Sequence, residues 1–251
     1  MARREWTFRG AGARRDAGRV RFRHRDEIWR DFPDLVPAVL FLDGITPDAD
    51  VSRSVAVHTA TALDRLGRGG ESGMPEIQAW RRAFAAQGIR PTQYRCASES
   101  LLRRLRREGA LPALHPLVDV CNAISVAYAV PVAAIDIDRV SGGLEVGYAS
   151  GTETYVTFAG DVEHPDPREV IFADAGGYAH ARRWTNRQSG RSAIRTGTTR
   201  ALIVAEGLHE TAGADVAKLL DALAEALREA WGVAPATAIL TADRPAFDTA
   251  G

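Results

Sequence analysis

The chain has 251 residues, 45% of them hydrophobic, and sets 32 basic against 32 acidic side chains. That apolar content suffices for one substantial core or two small ones, and the neutral balance argues against a dedicated nucleic-acid binder, which is usually basic. No apolar stretch approaches the ~18 residues a membrane helix needs, and the arginine-dotted N-terminus lacks the apolar core of a signal peptide, so a cytoplasmic setting away from membranes is expected.

Met1 to Gly18 reads as a disordered basic tail, and residues 19–251 as one domain. Residues 1–30 hold ten arginines against Glu5, Asp16, Asp26 and Glu27, either an arm that touches phosphates or a solvated tail with no role. Val36–Ile45 is expected as the first core strand and Val51–Leu66 as a helix. The following loop, GRGGESG, lacks the Gly-Lys-Ser/Thr ending of a phosphate-binding loop. Pro75–Gln87 should be helical, with Pro in the first turn and Gly88 as the stop. Pro91–Ser98 reads as a loop, after which Ser98 or Ser100 caps a helix over Leu101–Arg107. Arg103, Arg104, Arg106 and Arg107 would form a basic face on it, which a solvated helix explains equally well.

Leu117, Cys121, Ile124 and Tyr128 recur at helical spacing, and this helix must end before Pro131. Val132–Ile137 follows as a buried strand, with Asp136 and Asp138 at its exit. An Asn inside so apolar a helix needs a partner, because leaving it unpaired costs roughly 1–3 kcal/mol. Asn122 therefore either ties the helix to a loop or lines a pocket. Leu144–Tyr148 and Thr154–Phe158 are expected to pair as a hairpin around Gly151. Val170–Asp174 and Tyr178–Trp184 should form a second, around Gly176-Gly177. Val216, Leu219, Leu220, Leu223, Leu227 and Trp231 make one stripe of a C-terminal amphipathic helix. Strands that neither alternate strictly with helices nor sit apart from them indicate an α+β domain.

The chemistry concentrates between Ala181 and Arg200, in ARRWTNRQSGRSAIRTGTTR. No acidic residue occurs between Asp174 and Glu206. Planar guanidinium donors beside the Trp184 indole suit an anionic, base-bearing ligand; a solvated loop would carry the same residues. Cys96 and Cys121 are isolated and read as reduced packing residues. No nucleophile elbow or metal-ligand cluster is present, and neither metal nor cofactor is expected. His115, before Pro116, reads as a capping or packing residue, while His180 is the histidine nearest the arginine segment.

The LVDVCN helix, the proline and the strand ending in Asp resemble the start of the B3/B4 domain of the bacterial phenylalanyl-tRNA synthetase β subunit, where the stretch reads VVDVTN followed by a QPMHAFD-type strand. The strand at Glu169–Asp174, the RRWTNRQSGRS loop and TTRALIVAEGL resemble free-standing proteins built from that domain alone. Those relatives have a similar Tyr-Arg-Ser arrangement at Tyr94 and Arg95. The likeness runs from about Val20 to Trp231 and implies a single B3/B4-like domain with mixed sheet layers and flanking helices.

The synthetase domain hydrolyses phenylalanine tRNA wrongly charged with tyrosine. Asn122 matches the Asn of its motif, and Cys121 replaces the Thr. The strand His of the synthetase falls at Ala133, and its Gly-Gly-Ala-Glu segment, whose Glu recognises the tyrosine hydroxyl, aligns near Ser189–Ser192 without a carboxylate. The resemblance thus implies hydrolysis of mischarged aminoacyl-tRNA in trans, but not tyrosine as the rejected amino acid. On that reading Asn122 and Gln188 are catalytic, orienting water and ester. Arg95, Asp136, Arg183, Trp184, Asn186, Ser189 and Thr199 hold the substrate, Asp136 through its α-amino group. Arg182, Arg187, Arg191 and Arg195 grip the RNA. The partner is a tRNA or aminoacyl-tRNA, not DNA. Two alternatives stand beside this: a non-catalytic RNA- or tRNA-binding module, and a binder of an amino-acid-like metabolite without RNA.

Overall fold

The computed structural model describes residues 20–249; the expected basic tail, 1–18, lies outside the described residues. In chain order the elements are β1 (Arg21–His24), α1 (Asp26–Asp31), β2 (Val36–Asp43), α2 (Ser52–Arg68), α3 (Pro75–Ala86), α4 (Ala97–Glu108) and α5 (Pro116–Tyr128). Next come β3 (Val132–Asp136), β4 (Gly143–Tyr148), β5 (Thr154–Val156), β6 (Val162–Glu163), β7 (Val170–Asp174), β8 (Tyr178–Arg182) and β9 (Arg187–Gln188). The chain closes with β10 (Arg200–Gly207), α6 (Ala212–Trp231), β11 (Ala236–Ile239) and β12 (Ala246–Asp248).

The strands form two sheets, and with the flanking helices they make an α+β architecture. The smaller has the order β11-β2-β10-β3, all antiparallel; the larger runs β12-β1-β4-β7-β8-β5-β6, with β9 added against β8. β10 shows why both faces of the small sheet are covered. Its residues are buried almost throughout, which requires packing on either side. Ala201, Ile203 and Ala205 join the core shared with α5 and α6. Leu202 and Val204 point the other way, into a core with Phe22, Trp80, Leu102 and Phe172 from the large sheet and α3–α4. By the same alternation Glu206 projects between the sheets.

Most expected helices and core strands are present, with shifted ends. α5 stops at Tyr128 because Ala129 turns left-handed (φ 56°) two residues before Pro131, and the Ser125 hydroxyl donates to the Val130 carbonyl at 2.7 Å to close the turn. The cap of α4 is Cys96, and Ser98 is buried inside the first turn rather than capping it. The β7–β8 hairpin forms as expected. The hairpin expected around Gly151 does not: β4 pairs with β1 and β7, whereas β5 pairs with β6 and, in parallel, with β8. Alternation marked both segments as strands but carries no information about which neighbour each one meets. β1 lies between β12 and β4, and Arg23 and Arg25 both bond Glu145, so these two arginines belong to the fold and not to a free arm.

Candidate functional site

The β8–β9 connection is the local device that shapes the site. Arg183 and Trp184 both adopt left-handed backbone, φ 44° and 58°, a conformation costing of order 1 kcal/mol or more for a residue with a Cβ. Glu169 holds it there. Its carboxylate accepts from Arg182 Nε (3.0 Å) and Nη2 (2.9 Å) and from the Arg183 backbone N–H (2.6 Å). The Trp184 N–H donates to the Val170 carbonyl at 2.6 Å. The turn drives the Trp184 ring into the core, edge-on to Phe32 and Trp80. Its indole N–H donates to Glu206 at 2.9 Å, beside His24 Nε2, which lies 2.7 Å from the same oxygen. Trp184 is therefore fully buried and is not an exposed stacking face.

Beyond the turn, β9 carries Gln188 to the outer edge of β3, where its side-chain N–H donates to the Ala134 carbonyl at 2.7 Å. Two hollows flank that contact. The larger, about 400 Å³, lies on the α5 side, with Asn122, Gln188, His115, Arg195, Thr196 and Phe158 in its walls. The smaller, about 70 Å³, lies between the sheets under Asn186 and Gln188 and reaches Glu206. Asn122 and Gln188, chosen separately from the sequence, thus line one cavity. Asn122 is half-buried and its amide has no protein partner among the described residues, so it does not tie α5 to a loop. Phe158 and Leu114, 69% and 68% exposed, stand at the mouth. The chain comes close enough here only because residue 190 is glycine: a Cβ on Gly190 would sit 2.5 Å from the Thr157 carbonyl oxygen.

The other sequence-chosen residues divide by what holds them. Asn186 lines the small chamber, its amide donating to the Arg95 carbonyl at 2.7 Å. Arg95 itself lies away from both hollows, with its guanidinium against the Thr92 carbonyl (2.9 Å) and Glu99 (3.4 Å). Asp136 is buried and accepts from the Thr198 hydroxyl at 2.8 Å and the Asp138 N–H at 3.1 Å, so it organises the loop before β10 and lines neither hollow. Ser189 is fully buried, donating to the Val156 carbonyl at 2.8 Å. Thr199 is exposed, and its carbonyl accepts from Gly44 and Ile45.

The arginines are mostly engaged in folding. Arg182 is buried, fixed by Glu169 and by Glu163 at 2.8 Å, which leaves it no free face for RNA. Arg183 stacks over Tyr94 at 4.1 Å and Arg191 over Tyr178 at 3.5 Å. Arg187 is exposed, its guanidinium bonded to Glu163, and the residue lies in the wall of the small chamber. Arg195 is exposed in the wall of the large cavity, with one N–H on the Gly190 carbonyl at 3.0 Å.

Three residues escaped the sequence reading. Glu206 sat in the TTRALIVAEGL block, and a lone acid in an apolar strand is the signal that marks it. Phe158, expected at the end of a strand, stands in the turn after β5, which stops at Val156. His115 caps α5 as expected, accepting the Leu117 N–H, but also lines the cavity. His180, by contrast, belongs to a buried network: Nδ1 is 2.8 Å from the Ser192 hydroxyl and Nε2 3.2 Å from Asp174. That order mimics a nucleophilic triad, yet Ser192 and His180 are fully buried and line neither hollow, so the network fixes the 190–192 turn to the sheet. Cys96 and Cys121 are buried, and burial pushes their thiols up to about 11 and about 12, away from thiolate chemistry. Among the described residues no three His, Cys, Asp or Glu side chains converge as a metal site, and no helix is long and apolar enough to cross a membrane.

Comparison with known proteins places these walls in a family context. The phenylalanine–tRNA ligase beta subunit of Mycobacterium leprae (strain TN) is 29% identical over 154 residues, 54% of this chain and 18% of that subunit. The corresponding subunit of Thiobacillus denitrificans (strain ATCC 25259 / T1) is 35% identical over 77 residues, 31% of this chain and 10% of that one. The chain thus matches less than a fifth of the length of either relative. An N-terminal fragment of the phenylalanyl-tRNA synthetase beta-subunit from Pyrococcus horikoshii superposes with a TM-score of 0.46 at 10% identity, covering 86% of this chain and 49% of that one. The B3/4 domain family matches residues 79–236, a span that contains every residue in the wall of the large cavity. The chain belongs to the B3/4 domain family.

Proposed function

We propose that the chain binds the aminoacyl end of a tRNA in the cavity beside β3 and hydrolyses an amino-acid ester that does not belong there. The observation that carries this reading is the convergence of Asn122 and Gln188 on one cavity of about 400 Å³, large enough for an aminoacyl group and part of a ribose. Phe158 at the mouth offers a flat exposed face to a terminal base, and Arg195 a charge for a nearby phosphate.

The reaction asks little of the protein. The ester is already activated, so positioning a water against its carbonyl removes most of the entropic barrier. The water oxygen bonds to the ester carbon and the carbonyl oxygen becomes an oxyanion. When the carbon–oxygen ester bond breaks, the ribose oxygen leaves with the proton the water gave up, relayed by the neighbouring ribose hydroxyl. Asn122 has both a donor and an acceptor for that water. In a β-strand the N–H and C=O of one residue point the same way, so the Ala134 N–H faces the edge where its carbonyl meets Gln188 and can donate to the oxyanion. One such donor contributes roughly 10²–10³ in rate.

Mixing the purified protein with a panel of mischarged tRNAs at low salt, with Asn122→Ala as control, tests this. Release of one amino acid, abolished in the control, is the expected result; binding without release would reduce the protein to an RNA-binding module. A second reading, an amino-acid-like ligand bound without RNA, draws on the arginines: Arg182, Arg183, Arg187 and Arg191 all have acidic or aromatic partners within the fold.

A further inference from the structure

We propose that His115 is a ligand-binding residue of the large cavity, presenting Nε2–H to an acceptor oxygen on the bound molecule, such as the carbonyl or carboxylate of an aminoacyl group. The identity of that acceptor rests on the aminoacyl reading above. The ring stands at the N-cap of α5 in extended backbone (φ −146°, ψ 138°), and its Nδ1 accepts the Leu117 N–H at 3.2 Å. A ring nitrogen that accepts carries no hydrogen, so the neutral imidazole holds its proton on Nε2. That nitrogen is buried and has no partner within the protein, and His115, 7% exposed, belongs to the wall shared with Asn122 and Gln188.

Leaving a buried donor unpaired costs roughly 1–3 kcal/mol, a penalty relieved when a ligand oxygen occupies the cavity. Capping alone does not account for an imidazole here. Ser, Asp or Asn cap a helix at least as well, and none of them reaches as far beyond the capped N–H as Nε2 does across the imidazole. Burial lowers the pKa of His115 from 6.5, with Asp119 opposing. The ring therefore stays neutral, and Nδ1 stays an acceptor, at neutral pH. The result is a donor of fixed direction, whereas the Arg195 guanidinium at the same cavity supplies charge.

The test uses the full chain, His115→Asn, Asn122→Ala, and two sets of probes: amide-linked 3′-aminoacylamino-adenosines, which resist hydrolysis, and free amino acids. Calorimetry gives the affinities, and ¹⁵N spectra of the assigned histidine rings give the tautomers. Expected are a Nε2-protonated ring in the free protein, a shift of that resonance on adding probe, and binding weakened ~10-fold or more in His115→Asn, whose helix cap survives. An Nδ1-protonated ring, or a wild-type ring that does not respond to a bound probe, overturns the inference whether or not the variant folds. If His115→Asn binds like wild type while Asn122→Ala does not, the aminoacyl reading stands and the role of His115 falls. If the wild type binds no probe, the aminoacyl reading itself fails and takes this inference with it.

Discussion

The Gln188 side chain donates to the Ala134 carbonyl at 2.7 Å and so joins the last strand added to one sheet to the outer edge of the other. The two residues are 54 positions apart, and the contact stands where the large cavity and the small chamber meet. It covers a strand edge that would otherwise be open and aims an amide into the cavity. Gln188→Ala should therefore cost about 1 kcal/mol of stability, the usual worth of one such bond. Asn122→Ala removes a group with no protein partner and should stay within about 0.5 kcal/mol of wild type. Both should lower deacylation by ~100-fold or more. Urea denaturation beside single-turnover assays separates the two, and equal stability losses would mean that Asn122 is a structural group after all.

Arg182 and Arg195 lie in the same basic segment and should behave in opposite ways. Arg182 is buried against Glu169, so Arg182→Ala leaves a buried carboxylate uncompensated and should cost about 3 kcal/mol or more. Arg195 is exposed, and Arg195→Ala should leave stability almost unchanged while weakening tRNA binding. If Arg195 meets one phosphate, the slope of log affinity against log salt should fall by about 1. Filter binding at several salt concentrations measures it; a slope unchanged in Arg195→Ala would remove Arg195 from the RNA grip.

These two arginines also show how far the sequence could be read. α5, β3 and α6 were legible because periodicity and proline are local signals. The cavity was half-legible: Asn122 stood out as an amide in an apolar helix, and Gln188 as an amide among arginines. What was not legible is partner choice. Nothing local distinguishes Arg182, closed in by a glutamate 13 residues upstream, from Arg195 in a cavity wall. Likewise Trp184 looked like a ligand platform until the left-handed turn buried it, and Phe158 looked like a strand residue until the loop exposed it. β4 and β5 failed for the same reason, since their pairing depends on strands far along the chain.

Phe158 offers a way to separate an RNA-end ligand from a free amino acid. At 69% exposure its ring contributes little to the core, so Phe158→Ala should leave the melting temperature nearly unchanged. If the ring stacks on a terminal base, the variant should lose about 1–3 kcal/mol of affinity for an adenosine-bearing probe and none for a free amino acid. Equal affinities for both probes in both proteins would leave the base without its platform and favour the amino-acid-like reading.

Asp174 should set the acid limit of the fold around the site. It accepts the Ser141 and Tyr178 N–H groups at 2.9 Å each, and His180 Nε2 lies 3.2 Å away. Burial pushes its pKa up, but His180 and the two N–H donors outweigh burial and hold it at about 2, against 3.8 for a free side chain. Below about pH 3.8 the unfolded chain takes up a proton that the native carboxylate still refuses. The stabilisation is therefore complete above that pH and is lost as pH falls toward about 2; a shift of this size corresponds to roughly 2 kcal/mol. Asp174→Asn cannot titrate there. Its urea midpoint should lie below wild type near pH 6, and the gap should close as both are taken to about pH 2. Parallel curves for the two proteins across that range would assign the acid transition to another carboxylate.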